Sequence, residues 1–135
     1  METVKTIIDT DLLIDLLRSQ RQATAFIASL EEKNYVLATT AINLFELHHG
    51  AHKSQESEKN LQAINKLVNR LSILSLSSKA AQKAGHIYAQ LERDGQPIGL
   101  RDTFIAAIAL TREYSVATRN QAHFSRISGL SIITP

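Results

Sequence analysis

The stretch Phe104-Ile105-Ala106-Ala107-Ile108-Ala109-Leu110 has no polar residue. It lies inside a helical segment running from Asp102 to Glu113. At about 3.6 residues per turn it presents apolar side chains on every face. A helix of that kind is buried in the middle of a fold, because no side of it is suited to water. The rest of the chain therefore has to supply elements that wrap it.

Those elements are legible as short strands alternating with helices. Val4 to Ile8 is apolar and β-branched, as is usual for a buried strand. A helical pattern follows at once through Leu12, Leu13, Leu16 and Leu17, with Thr10 or Asp11 as the expected N-cap. Arg21 to Glu32 is a second helix and Tyr35 to Ala38 a second strand. Thr39-Thr40 offers a cap for a helix reaching about Ala51. His52 to Arg70 is polar, with Leu61, Ile64, Leu67 and Val68 at helical spacing. Ser72 to Leu76 is a third strand, and Ser77-Ser78 caps a long helix to about Arg93. Asp94-Gly95-Gln96-Pro97 breaks that helix. Ser115 to Ala117 and Leu130 to Ile133 complete the strands. The pattern predicts an α/β fold with a mostly parallel sheet covered on both sides. No repeat, linker or low-complexity segment interrupts residues 1–135, which are read as one domain.

Composition narrows the chemistry. The chain has no cysteine, which excludes a disulfide scaffold and thiolate metal sites and suits a reducing cytoplasm. The opening Met1-Glu2-Thr3-Val4-Lys5 lacks the basic region and apolar run of a signal peptide, and no segment is long and apolar enough for a bilayer. Neither a leader nor membrane attachment is expected. A net charge of +2 is too small to argue nucleic-acid binding by itself.

Three acids stand where a parallel sheet gathers its loops. Asp9 ends the first strand, Glu46 lies two turns into the helix after the second, and Asp102 opens the most apolar helix. Asn120 follows the fourth strand. Ligands of open α/β sheets sit beyond the carboxyl ends of the strands. Crowded carboxylates repel one another, and a divalent cation removes that cost. An all-oxygen donor set favours Mg²⁺ or Mn²⁺, and the chemistry served by such a cluster is phosphodiester hydrolysis or phosphoryl transfer. Singly, each residue has a plainer reading. Asp9 is a cap or a first-turn charge, Asp102 an N-cap, Glu46 a solvated helix residue and Asn120 a turn residue.

Four stretches, in order, make the chain resemble the PIN-domain family, and within it the VapC-type toxin ribonucleases. They are Ile7-Ile8-Asp9-Thr10-Asp11-Leu12-Leu13-Ile14-Asp15-Leu16-Leu17, Ala41-Ile42-Asn43-Leu44-Phe45-Glu46-Leu47 with Gly50, Pro97-Ile98-Gly99-Leu100-Arg101-Asp102 running on to Leu110, and Val116-Ala117-Thr118-Arg119-Asn120 with Phe124 and Gly129-Leu130. The resemblance implies a three-layer sandwich around a roughly five-stranded parallel sheet. It implies a Mg²⁺- or Mn²⁺-dependent endoribonuclease of a VapBC-type toxin–antitoxin module, cytoplasmic, homodimeric and held by a VapB-type antitoxin. It places Asp9, Glu46 and Asp102 as metal-binding acids, Asn120 at a fourth, commonly acidic position, and Thr118 as a hydroxyl helping to position water or metal. Thr10 is a supporting residue beside them. The chain departs from the family's pattern at Asp11, where Asn is frequent, and at Asn120, where a neutral amide replaces a charge.

Other features compete for attention. Asp9-Thr10-Asp11 after a strand also resembles haloacid-dehalogenase-like phosphotransferases, but these need an acidic pair after a late strand, where Thr118-Arg119-Asn120 stands. His48 and His52 are spaced for zinc, yet His49 occupies the place a metalloprotease gives to glutamate, so surface histidines are expected. Arg101 and Arg119 flank the site as candidate phosphate clamps, as counter-charges for the acids, or as solvated groups. Lys53, Lys59, Lys66, Lys79 and Lys83 are read as solvating helices, and Phe26, Phe45 and Phe104 as core. An interaction module whose acidic pocket binds an arginine-bearing peptide is the alternative to an enzyme.

Overall fold

The computed structural model describes residues 3–135; Met1 and Glu2, part of the stretch read for a leader, lie outside the described residues. The chain runs β1 (Lys5–Ile8), α1 (Thr10–Leu17), α2 (Arg21–Glu32), β2 (Val36–Thr40), α3 (Ala41–Lys53) and α4 (Ser57–Val68), then β3 (Ser72–Leu74), α5 (Ser78–Arg93), α6 (Leu100–Arg112), β4 (Ser115–Ala117), α7 (Gln121–Phe124) and β5 (Ile132–Ile133). The strands form one sheet in the order β3-β2-β1-β4-β5, with every neighbouring pair parallel. Parallel neighbours need crossovers, and helices provide them.

Alternate residues of a strand point to opposite faces, and the two cores divide accordingly. Ile7, Ala38 and Val116 face α5, α6 and the Phe124 ring of α7. Ile8 and Ala117 face the opposite layer with Leu12, Leu13, Ile27, Leu30, Leu47 and Ile64 from α1 to α4. The expected three-layer arrangement is therefore present. Ile105 through Ala109 of α6 are wholly buried, as their uninterrupted apolarity requires. Thr6 and Ser115 close a hydroxyl pair between β1 and β4, so their polarity is satisfied inside the sheet.

Several boundaries differ from the sequence expectation. The N-cap of α1 is Asp9, whose carboxylate accepts the Thr10 backbone N–H; Thr10 and Asp11 are inside the helix. Helix α6 begins at Leu100 with Gly99 as its N-cap, so Asp102 is its third residue and not a cap. Gly99 has φ +87°, a backbone conformation that side chains with a Cβ rarely adopt. The segment expected as helical from His52 to Arg70 is split, because Ser54 caps the end of α3 and α4 starts at Ser57. The third strand stops at Leu74 and the fifth is Ile132–Ile133 alone. Helix α7 was not expected. Phe45 is not core: it is 67% exposed, since α3 buries Asn43, Leu47 and Ala51 on the other side. Phe26 and Phe104 pack at the margins of the two cores.

Candidate active site

The strand order reverses direction about β1: β2 and β3 lie on one side, β4 and β5 on the other. A crevice opens at the carboxyl ends of the strands where such a reversal occurs. Asp9 leaves the end of β1 there, and its backbone N–H donates to Ala117 O at 2.9 Å. That bond aligns Asp9 with Thr118, the first residue beyond β4. The Thr118 hydroxyl donates to Asp9 Oδ2 at 2.7 Å and accepts the Asn120 backbone N–H at 2.9 Å.

Helix α3 delivers Glu46 to the same place through a buried amide. Thr40 and Asn43 form a capping box: the Asn43 N–H donates to Thr40 Oγ1, and the Thr40 N–H donates to Asn43 Oδ1, each at 3.2 Å. The Asn43 Nδ2 is thereby left to donate forward, to Asp9 Oδ1 at 3.1 Å and Thr10 Oγ1 at 2.8 Å. The Thr10 hydroxyl in turn donates to Glu46 Oε1 at 2.6 Å. A single side chain thus ties the start of α3 to the start of α1, and both acids are held by it or by its partner.

Arg101 occupies the centre. Its Nη2 donates to Asp9 Oδ1 at 2.6 Å, its Nε to Glu46 Oε2 at 2.7 Å, and its Nη1 to Asp102 Oδ1. Each acid takes a different nitrogen. Of the three readings left open by the sequence, Arg101 here takes that of counter-charge to the cluster. Burial alone would lower its pKa, but the hydrogen bonds to Glu46 and Asp9 and the charges of those two carboxylates together outweigh burial and raise it above the usual arginine value.

By its chemistry alone, three carboxylates and no sulfur, the donor set suits a hard divalent cation. Three carboxylates, two of them almost fully buried, already converge on one positive group, and their hydroxyl and amide supports leave oxygens directed at it. The spacing is that of a guanidinium, and among the described residues no group of three or more Asp, Glu, His or Cys side chains is drawn in to metal-ligating distance.

The remaining sequence candidates divide. Asn120 joins the cluster, donating from Nδ2 to Asp102 Oδ2 at 3.1 Å. Arg119 does not: it is exposed and pairs with Asp15. Asp11 is exposed on α1 and makes no side-chain bond to the acids. The His48 and His52 rings are 6.4 Å apart and tilted. The five lysines read as solvating are all exposed. Two site residues went unremarked in the sequence. Asn43 stands three residues before Glu46, hence on the same helix face. His123 stands three after Asn120, and its Nδ1 lies 2.8 Å from Asp102 Oδ2. Helical spacing from an already chosen residue was the available signal for both.

The sequence pattern of the PIN domain matches residues 6–130. The chain belongs to the PIN-domain family. Among PIN domains it is similar to the tRNA(fMet)-specific endonuclease VapC of Shigella flexneri, at 32% identity over 94% of this chain and 95% of the relative. The fold is shared with the VapBC complex of Salmonella typhimurium solved bound to DNA, at a TM-score of 0.88 and 31% identity, covering 98% of each chain. VapBC2 of Rickettsia felis, solved with a DNA fragment from its promoter, gives a TM-score of 0.89 at 26% identity, covering 98% of this chain and 99% of that one. This PIN domain is therefore of the VapC type, in sequence and in fold.

Proposed function

We propose that this PIN domain is the ribonuclease toxin of a VapBC-type module, hydrolysing phosphodiester bonds of cytoplasmic RNA with Mg²⁺ or Mn²⁺ held by Asp9, Glu46 and Asp102. The observation that carries the reading is the convergence of these three acids on one cationic position at the sheet's reversal point, in a chain whose relatives are named as VapC ribonucleases. Cation chemistry there consists of activating water and offsetting charge on the phosphate. The chain's own residues set the frame. Asp9 is fixed at both oxygens, by Thr10 N–H and Asn43 on one side and Thr118 on the other. Glu46 is oriented by Thr10 and Asp102 by Asn120. Were a cation to occupy the acids, Arg101 would be free of them and its guanidinium would suit a phosphate oxygen of the substrate.

A VapB-type partner has a seat beside this frame. An apolar groove of about 340 Å³ between α1, α3 and α4, lined by Ile14, Leu17, Leu47 and Ile64, ends at Glu46. The solved neighbours are VapBC complexes, which supports a VapB-type partner for this chain. A homodimer is part of the same proposal. Among the described residues no helix is long and apolar enough to cross a membrane.

Asp9→Asn and Asp102→Asn are expected to abolish cleavage of total cellular RNA by the purified chain while leaving its melting cooperative. EDTA stops the wild type, and Mg²⁺ or Mn²⁺ restores it. Undiminished cutting by either variant would refute the assignment. One observation favours a second reading, a non-catalytic module that binds an arginine-bearing peptide: the acids are fully engaged by a guanidinium. Peptide binding without metal binding or RNA cleavage would establish it.

A further inference from the structure

The two most exposed large apolar side chains among the described residues flank one ion pair of the site. Phe45 is 67% exposed and precedes Glu46; Leu100 is 55% exposed and precedes Arg101, whose Nε donates to Glu46 Oε2. Neither joins either apolar core. Phe45 also opens a stripe of rings. Positions 45, 48, 49 and 52 of α3 share one helix face, which carries Phe45, His48, His49 and His52. The Phe45 and His49 rings are stacked, with centroids 5.9 Å apart and planes at 12°, while His48 and His52 are tilted at 6.4 Å. The opposite face of α3 is the one turned to the apolar groove, through Leu47, Gly50, Ala51 and Ser54. The ring stripe therefore lies outside the seat given to the VapB-type partner.

We infer that the outer face of α3 holds single-stranded RNA at the mouth of the site, with Phe45, backed by His49, as the platform on which a nucleobase stacks. His49 covers one face of the Phe45 ring, and the ring's high exposure leaves the other face to a base. A flat aromatic surface suits any base, so this grip tolerates sequence. Phe45 and Glu46 have Cα atoms about 3.8 Å apart, so the stacked base belongs to a nucleotide next to the phosphate at the acids. His48, His52 and Lys53 continue the face with N–H donors suited to backbone phosphates, and α3 carries no acid after Glu46. A second copy docked here about a twofold axis would set these imidazoles and Lys53 against their like, whereas RNA brings bases and negative charge together. This inference rests on the ribonuclease reading and makes Phe45 a positioning residue for its substrate.

The purified full chain is titrated, in EDTA to stop cleavage, into a short single-stranded RNA carrying 2-aminopurine, whose fluorescence falls on stacking. The wild type is expected to quench it. Phe45→Ala and Phe45→Leu bind about tenfold more weakly and without quenching, whereas Phe45→Tyr keeps both. Leucine is the deciding variant, since it restores apolar volume without a flat ring. In cleavage of total cellular RNA with Mn²⁺, Phe45→Ala raises KM about tenfold and leaves kcat within about twofold. Its Mn²⁺ affinity by calorimetry is unchanged, because Glu46 keeps its place, and circular dichroism establishes that the variants are folded. Quenching absent from the wild type or surviving Phe45→Ala, full rescue by Phe45→Leu, or a fall in kcat and Mn²⁺ affinity without a rise in KM overturns the platform. Sedimentation showing that Phe45→Ala turns a dimer into a monomer does so too, and makes the face an interface between copies. In all these cases the wild type still cuts RNA and the ribonuclease reading stands; a wild type that neither binds nor cuts RNA overturns both.

Discussion

Arg101→Met separates the two things Arg101 does, filling space and neutralising charge. Methionine keeps much of the stem's volume and removes the guanidinium. Three carboxylates are then left around a position with no positive charge. Removing one partner of a buried ion pair costs about 3–5 kcal/mol. The Arg101 side chain is 34% exposed, so solvent screens part of this, and about 2–3 kcal/mol is the appropriate figure. For a chain of this length each kcal/mol moves the melting temperature by about 3–5 °C, so the variant should melt about 10 °C below wild type in EDTA. The sign reverses for metal. A cation entering the wild-type site would have to displace the guanidinium, whereas in Arg101→Met it would meet bare acids, so Mn²⁺ should bind about tenfold tighter and close about half of the gap in melting temperature. Differential scanning calorimetry with EDTA and with saturating Mn²⁺ measures both. Equal melting of the two proteins in EDTA, or the same deficit with and without Mn²⁺, would refute the account of Arg101 as a counter-charge that a cation replaces. The effect should not vary across mildly acid to mildly alkaline pH as far as Arg101 is concerned. Its pKa is raised on folding, so its contribution is complete below the ordinary arginine value and fades only as the pH rises through the still higher folded one.

Asn43→Ala removes the amide that joins Thr40 to Asp9 and Thr10 and leaves the buried Thr40 N–H and hydroxyl without the acceptor they share. A loss of about 2–4 kcal/mol in urea unfolding is expected, together with a fall in RNA cleavage; a stability change below about 0.5 kcal/mol would contradict the role given to this side chain. Phe45→Ser, at an exposed position, should change stability by no more than about 0.5 kcal/mol by the same measurement, and a core-sized loss would show that the ring is covered in solution.

Much of this arrangement could be read from residue order because its determinants are local. The apolar run in α6 demands burial wherever it lies, and β1 followed by Asp9 marks a strand end without reference to anything distant. Phe45 shows where such reading fails. Its aromaticity pointed inward, but the buried stripe of α3 runs through Asn43, Leu47 and Ala51, and the stripe begins with an amide. A hydrophobic pattern cannot register a buried polar residue whose partners, Asp9 and Thr10, are supplied from far away in the chain. The same limit hid the fate of Arg101, since three separated elements must assemble before its position has meaning. The strand order was likewise out of reach, because alternation of strands and helices is compatible with several parallel orders.

The central position of β1 has a consequence for how this protein can be switched off. Asp9 is bonded to β4 through its own backbone, and β1 is flanked on both sides, so its amides exchange with solvent only when the whole sheet opens. Peripheral fraying cannot displace Asp9. A protease that clips only transiently opened segments would trim the surface and leave the cluster assembled. Short of withdrawing its cation, covering the mouth of the crevice is therefore the way to silence the site without unfolding the sheet.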